Sequence, residues 1–449
     1  MYKRQDLEGW KNLSYPELAE KVLAGFLTDY SADFLHNATA ATYGAAFDGK
    51  AGRTVKVREG LYSLELWHGP TCAFKDYALQ LMPKLLVEAK KMLGRTETTR
   101  ILVATSGDTG KAALAGYADL DGIEIEVFYP NDGTSEIQHL QMATQKGGNV
   151  QVYAVQGNFD DAQTGVKKVF ADAAVAAELE KRGIRLSSAN SINWGRLVPQ
   201  IVYYFYAYFR LAEQGAVAWG KPVDFCVPTG NFGDILAGYY AKQMGLPVGK
   251  LVCASNKNNV LTDFLTTGTY DARRTFYKTT SPSMDILISS NLERLLCHVS
   301  GSSEKVAGWM QELNTTGKYT VDAETLEKIR ETFAAGYADD AEGAAEIKAR
   351  FEEDHYLCDT HTAVAFRVAE TVRTEAPMVV LSTASPFKFP RDVLAALGQQ
   401  APVSDFAAMA ALTDKTGAEA PASLRELDKQ EVRFKTVLQP AEIRAAALK

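Results

Sequence analysis

Three times in this 449-residue chain a short apolar run ends in a glycine-bearing turn that opens straight into a helix, a repeat that confines the chain to an α/β architecture. The runs are Leu61–Trp67, Ile101–Ala104 and Val223–Val227. The turns that follow them are His68-Gly-Pro-Thr-Cys-Ala-Phe-Lys75-Asp76, Thr105-Ser-Gly-Asp-Thr-Gly-Lys111 and Pro228-Thr-Gly-Asn-Phe-Gly-Asp234. Strand-like runs at Ile123–Tyr129, Val150–Val155 and Ile184–Ser187 are expected to join Ile101–Ala104 in one sheet. Val223–Val227, Leu251–Ala254 and Met378–Ser382 are expected in a second sheet, with long helices starting near Trp194, Asp234 and Thr362. This reading divides the chain into three parts. Residues 1–95 form an amino-terminal helical segment and a lysine-bearing strand–helix unit, part of a large domain; residues 96–190 form a small α/β domain; residues 191–449 complete the large α/β domain, with a helical insertion at about 257–375. Polar breaks such as Lys278-Thr-Thr-Ser-Pro-Ser283 interrupt that insertion. The last thirty or so residues are rich in Ala, Glu and Lys and are expected as peripheral helices.

With 46% apolar residues the chain can bury a large core, and a formal charge of −7 leaves no basic footprint for nucleic acid. The cysteines at 72, 226, 253, 297 and 358 have neither metal-ligand spacing nor the clustering of a disulfide framework, which fits a reducing cytosol. The histidines form no metal-binding arrangement either: His355 and His361 stand six apart, where a helical pair of ligands favours three or four. Met1-Tyr-Lys-Arg-Gln-Asp-Leu-Glu8 lacks an apolar signal core, and no run approaches about 18 apolar residues. The expectation is a soluble cytoplasmic protein that engages neither nucleic acid nor membrane.

The three turns carry the chemistry. Lys75 stands at a helix start, where the macrodipole disfavours a cation. A lysine so placed is either a surface residue on a first turn or, when desolvated, an amine of lowered pKa that can form a Schiff base. Thr105–Lys111 nearly matches a nucleotide-binding P-loop, but Thr105 and Ala112 stand where that pattern needs Gly and Ser or Thr. The loop is left as a plain helix cap or as a cradle for a carboxylate or small phosphate. At the third turn, Gly230 and Gly233 allow several backbone amides to converge on one oxyanion, which suits a phosphate monoester; a tight turn capped by Asn and Asp is the alternative. A reactive lysine together with a separate phosphate loop is what pyridoxal 5'-phosphate requires, since its aldehyde bonds an amine and its phosphate anchors the ring.

On these segments, together with Asn190-Ser-Ile-Asn-Trp-Gly-Arg196 and Leu381-Ser-Thr-Ala-Ser-Pro-Phe-Lys-Phe389, the chain resembles the threonine synthases from about Trp10 to about Pro390. These are pyridoxal-phosphate enzymes of the tryptophan synthase β-like fold. The resemblance implies two open twisted sheets flanked by helices, with the active site between the domains. It implies that Lys75 bonds the cofactor and later shuttles protons at the substrate's α and β carbons. Gly230, Asn231, Phe232, Gly233 and Asp234 would cradle the cofactor phosphate, and Thr383 or its neighbour Ser382 would face the pyridine nitrogen. Thr105, Ser106, Asp108 and Thr109 would receive the substrate's α-carboxylate and the cofactor's ring oxygen, although an Asp beside a carboxylate is repulsive unless turned away or protonated.

The implied substrate is O-phospho-L-homoserine, converted with water to threonine and phosphate, the last step of threonine biosynthesis, by a monomer or homodimer. Asn190, Ser191, Asn193 and Arg196 are the candidates for its own phosphate. They combine amide, hydroxyl and guanidinium donors at the start of an apolar helix read from Val198 to Leu211; an ordinary helix cap is the other reading. Phe232 could touch the cofactor, whereas Trp67, Trp194 and Cys72 read as packing residues. Relatives usually carry a further segment before the helical stretch that starts here near Leu13, so a gap in the large domain is expected. They also have Pro at the position of Thr360, and His361 beside it reads as a capping or packing residue. Two rival functions keep the fold, and the first shares Lys75 and the Gly230 loop. One is a serine or threonine dehydratase, which needs no second phosphate site; the other is a non-catalytic metabolite-binding homologue.

Overall fold

Strands buried on both faces sort this chain into two main sheets. The computed structural model describes residues 4–131 and 134–449; the first three residues of the segment read for a signal core lie outside it. Helices α1 (Tyr15–Ala24) and α2 (Ala32–Tyr43) lead into the antiparallel pair β1 (Arg53–Arg58) and β2 (Leu61–Glu65), and Lys75 then precedes the single turn α3 (Asp76–Leu79). Next come β3 (Thr98–Ala104), α4 (Asp108–Tyr117), β4 (Ile123–Pro130), β5 (Val150–Val155) and β6 (Ile184–Ser188). The chain continues through α5 (Trp194–Leu197), α6 (Ile201–Glu213), β7 (Val223–Pro228), α7 (Gly233–Gln243) and β8 (Val248–Ser255). After the antiparallel pair β9 (Thr269–Asp271) and β10 (Lys318–Thr320) come β11 (Phe333–Tyr337), α8 (Thr360–Thr371), β12 (Met378–Ser382) and β13 (Val437–Leu438).

The larger sheet runs β1-β2-β12-β7-β8-β11, parallel except for β1; the smaller runs β13-β5-β4-β3-β6, parallel throughout. Parallel strands are covered on both faces, which explains their near-continuous apolar runs. Along β3 and β4 the period of two is still visible. Ile101, Val103, Ile125 and Val127 pack into one core of the small sheet, while Leu102 and Phe128 pack into the other. One face of the large sheet is covered by α1, α2, α6 and α7, and the other by α8. Both sheets and the flanking helices accord with the expected fold. No helix among the described residues is long and apolar enough to cross a membrane.

Three local expectations are corrected. The apolar helix read from Val198 starts instead at Ile201, after a 3-10 turn over Val198–Gln200, because Pro199 lacks the N–H that would continue α5 into it. The segment 257–375 is helix-rich, but it also supplies the antiparallel pair β9–β10 and β11, which pairs in parallel with β8 at the edge of the large sheet. The carboxy-terminal residues are not merely peripheral helix. Strand β13 hydrogen-bonds to β5, with Ala154 N donating to Thr436 O at 3.0 Å, and Ile443, Ala446 and Ala447 are buried in the small sheet's core.

Candidate active site

The lysine turn is held from two sides. Asp76 accepts from Thr71 N at 2.8 Å, Thr71 Oγ1 at 2.7 Å and Gln80 Nε2 at 3.2 Å, so its carboxylate clamps the turn that precedes it. A Cβ at Gly69 would fall 2.5 Å from Asp76 Oδ2, which is why that position is glycine. From across the sheet, Phe74 N donates to Thr383 O at 2.9 Å, and Ala73 bridges Ala384 just past the end of β12. The Lys75 side chain is therefore delivered inward and is only 11% exposed. Its Nζ lies 3.4 Å from Ser283 Oγ and 3.6 Å from Asp108 Oδ2. Burial lowers its pKa, Asp108 opposes that shift, and the cations Lys388 and Arg196 add to it.

In the loop opposite, Thr105 is buried and its hydroxyl accepts from Gly107 N at 2.9 Å and Gly110 N at 3.0 Å, so it shapes the loop from within. Ser106 and Thr109 are half-buried. Asp108 does not face an incoming carboxylate: its Oδ1 lies 2.6 Å from Lys388 Nζ and accepts from Gln138 Nε2 at 3.0 Å. Burial alone would raise its pKa, but Lys388 and then Lys75 hold it far below the usual carboxylate range. The repulsion expected at Asp108 is thus relieved by two lysines. Lys388, fully buried between Phe387 and Phe389, was not singled out from the sequence; a lysine inside the apolar run Pro386–Pro390 was the available signal.

At the third turn Phe232 adopts a left-handed backbone, φ 62°, and α7 begins immediately after it. Its ring is buried against Phe333, with centroids 5.5 Å apart, so it belongs to the core and not to a ligand surface, a correction to the expected contact. Gly230 is closely packed: a Cβ there would meet Ile286 Cδ1 at 3.0 Å and Ser283 O at 3.1 Å, so the neighbours would have to give by a few tenths of an ångström. Ser289 Oγ donates to Gly230 O at 2.9 Å, and Asn291 Nδ2 donates to Asn231 O at 3.1 Å. Gly233 opens the helix with its amide end toward this turn. Asp234 points behind the turn, where Tyr203 and Tyr204 both donate to its Oδ1; burial pushes its carboxyl up to about 6.

Around α5 the four expected anion ligands sit in different settings. Asn193 caps the helix, accepting from Gly195 N at 2.9 Å; Asn190 is exposed; Ser191 Oγ lies 3.4 Å from Ser290 Oγ. Arg196 is buried, donates from Nη1 to Ala189 O at 2.7 Å, and leaves Nε with no partner. No carboxylate pairs with it among the described residues. Burial brings its pKa down to about 10. Of the two candidate hydroxyls at the end of β12, Ser382 Oγ accepts from Trp67 Nε1 at 3.1 Å and lies 3.2 Å from Thr362 Oγ1; Thr383, the next residue, is also buried. His361, read as a capping or packing residue, is buried beside Asp359 and accepts from Ser283 N at 3.2 Å.

Comparisons with known proteins bear on this arrangement. The family model "Pyridoxal-phosphate dependent enzyme" matches residues 51–383, and "Threonine synthase, C-terminal" matches residues 362–446. The chain is 40% identical to threonine synthase of Pseudomonas aeruginosa over 402 residues, covering 89% of this chain and 83% of that protein. It is equally identical, over 406 residues, to human threonine synthase-like 1, covering 86% of this chain and 54% of that protein. It thus spans about half the length of threonine synthase-like 1 from human, macaque and orangutan. The crystal structure of pyridoxal-phosphate-bound threonine synthase from Brucella melitensis superposes with a TM-score of 0.89 at 38% identity, covering 100% of this chain and 91% of that one.

Proposed function

We infer the reaction from one premise: the chain belongs to the pyridoxal-phosphate dependent enzymes and, within them, to the threonine synthases. Its substrates are O-phospho-L-homoserine and water, and its products are L-threonine and inorganic phosphate. The residues present fit the cofactor: a desolvated amine at Lys75 and a glycine cradle at the start of α7 are both available to it. When bound, pyridoxal 5'-phosphate supplies an aldehyde that bonds an amine and a ring that accommodates the electron pair left when a substrate carbon loses a proton.

Lys75 would supply the amine that holds the aldehyde and, when free, would remove and return protons at the substrate's α and β carbons. The backbone amides of Gly230, Asn231, Phe232, Gly233 and Asp234 would receive the cofactor phosphate, and the Thr383 hydroxyl would serve the ring nitrogen. Ser106 and Thr109 bind the substrate carboxylate on a loop that Thr105 braces. Asp108, held by Lys388, keeps a negative charge beside the Lys75 amine. Arg196 receives the substrate phosphate with Asn190, Ser191 and Asn193. Net, the phosphate leaves the γ carbon, which gains a proton to become a methyl group; the β carbon loses a proton and gains the hydroxyl of water, whose other proton leaves with the phosphate; and the α proton is restored.

The observation that carries the phosphorylated substrate is Arg196, a buried guanidinium with an unpaired Nε and no carboxylate partner among the described residues. A buried cation without an anion is unfavourable, and an anionic ligand relieves it. A dehydratase would have no use for such a group. The enzyme works in the cytoplasm as a monomer or homodimer, a setting supported by five free cysteines, four of them buried. Incubation with O-phosphohomoserine and pyridoxal phosphate tests the reading: threonine and phosphate are expected in equal amounts. Phosphate without threonine would mean a diverted elimination, and no product from a cofactor-loaded chain would defeat the assignment.

A further inference from the structure

The polar break in the helix-rich insertion, at first sight a linker, is a strap sewn across the site. Asp285 fastens one end: its Oδ1 accepts from Asn256 Nδ2 at 2.8 Å, Asn258 Nδ2 at 3.0 Å and Thr279 Oγ1 at 2.7 Å, just beyond β8. Ser289 and Asn291 fasten the other end to Gly230 and Asn231. Ser283, two residues before Asp285, puts its carbonyl against Gly230 and its hydroxyl 3.4 Å from Lys75 Nζ. The strap therefore spans the two points at which the cofactor attaches in the proposed reading.

Ser283 is held by a buried pair. Its backbone N–H can only donate, so Nε2 of His361, at 3.2 Å, is the acceptor and carries no proton. The ring proton is then on Nδ1, facing Asp359 Oδ2 at 2.7 Å. Asp359 is itself fixed by backbone donors from His361 at 2.9 Å and Thr362 at 3.1 Å, at the first turn of α8. His361 and Asp359 are 2% and 0% exposed, so bulk water is shut out of both bonds.

We propose that Ser283 is the hydroxyl partner of the Lys75 amine and that the Asp359–His361 pair is the positioning device that keeps it there. This inference rests on the reading of Lys75 as the cofactor-bonding amine. Ser283 and Asp108 are the two acceptors that orient this amine, one neutral and one charged. The charged groups that act on Lys75 are Asp108, Lys388, Arg196 and Asp234; His361 and Asp285 stand behind the strap.

The test is a spectroscopic pH titration of cofactor-loaded full-length protein without substrate, following the visible band of the Lys75–cofactor bond. Loss of an acceptor for its N–H disfavours the protonated nitrogen. Ser283→Ala is expected to lower the midpoint by about half a pH unit or more, and Ser283→Thr to restore it. His361→Leu, which removes the acceptor for Ser283 N–H, is expected to reproduce the shift, and His361→Gln to rescue it. The double variant Ser283→Ala, His361→Leu should move no further than either single one. Unmoved midpoints, or shifts that add in full, overturn the inference, and a shift confined to Ser283 overturns the role of His361. A wild-type chain that forms no band defeats the reading of Lys75, a failure distinct from an unmoved midpoint.

Discussion

Lys388 Nζ lies 2.6 Å from Asp108 Oδ1 while the second oxygen of the same carboxylate faces Lys75 Nζ at 3.6 Å. A buried anion between two buried cations makes the three groups one electrostatic unit. Lys388 keeps Asp108 charged, Asp108 favours the protonated Lys75, and Lys388 directly opposes that protonation. The balance leaves a lysine whose pKa is lowered by burial without an uncompensated charge beside it.

Lys388→Met breaks this unit in a defined direction. Asp108 has a depressed pKa, so its ionised form contributes stability that is present above the unfolded carboxyl pKa and lost as pH falls through the lower folded value. Without Lys388 that folded value rises, and the acid-unfolding midpoint should rise by roughly one pH unit. Breaking a buried pair costs ~3–5 kcal/mol, an upper limit here because Lys75 remains near Asp108. Acid titration followed by circular dichroism checks it; an unchanged midpoint would show that Lys388 does not hold the carboxylate.

Asp234 gives the opposite sign. Burial raises its carboxyl to about 6, so the folded protein favours the protonated form; that contribution is full below the unfolded value near 4 and is lost as pH rises through about 6. Asn at this position can still accept from Tyr203 and Tyr204. Asp234→Asn should match the wild type near pH 4 and exceed it at pH 8 by up to roughly 3 kcal/mol, measured by urea unfolding at both values. Equal stability at pH 8 would rule out a buried ionised carboxylate behind the cradle.

The strands and the three glycine turns were legible because each is a local pattern of the chain. What meets at those turns was not. Lys388, Gln138 and Ser283 come from separate stretches and are gathered by the order β2-β12-β7 in the large sheet and by α4 packing beside Gln138, which no periodicity encodes. Asp108 looked repulsive in isolation because its two lysines are distant in sequence. Phe232 misled for a different reason: its left-handed backbone turns the side chain into the core, a conformation that a Gly-Asn-Phe-Gly string does not specify. Strand β13 is two residues long, too short for any alternation to show.

Gly107→Ala tests how rigidly the substrate loop is set. At φ 146° an L side chain is strained, and its Cβ would come within 2.6 Å of Gln138, the donor to Asp108. The strain should cost ~1–3 kcal/mol of stability. Because the loop carries Ser106 and Thr109, KM for the amino-acid substrate should also rise about tenfold, a loss of roughly 1.4 kcal/mol of binding. Thermal unfolding and steady-state kinetics on one preparation check both; unchanged KM in a destabilised variant would remove the loop from carboxylate binding.

Arg196→Met separates a binding arginine from a structural one, because the two roles predict opposite changes in stability. A guanidinium that is buried, bonded once to Ala189 O and left without a carboxylate is a cost to the ligand-free fold. Methionine fills similar space with no charge, so the ligand-free variant should melt higher, with a gain of ~1–2 kcal/mol. Inorganic phosphate should stabilise the wild type through mass action and leave the variant unmoved. KM for O-phosphohomoserine should rise by about a hundredfold or more, corresponding to ~3 kcal/mol of lost charge-assisted contact. If Arg196 serves only to pin the Ala189 carbonyl, the variant will instead melt lower and still respond to phosphate, and the substrate's phosphate must then be held elsewhere.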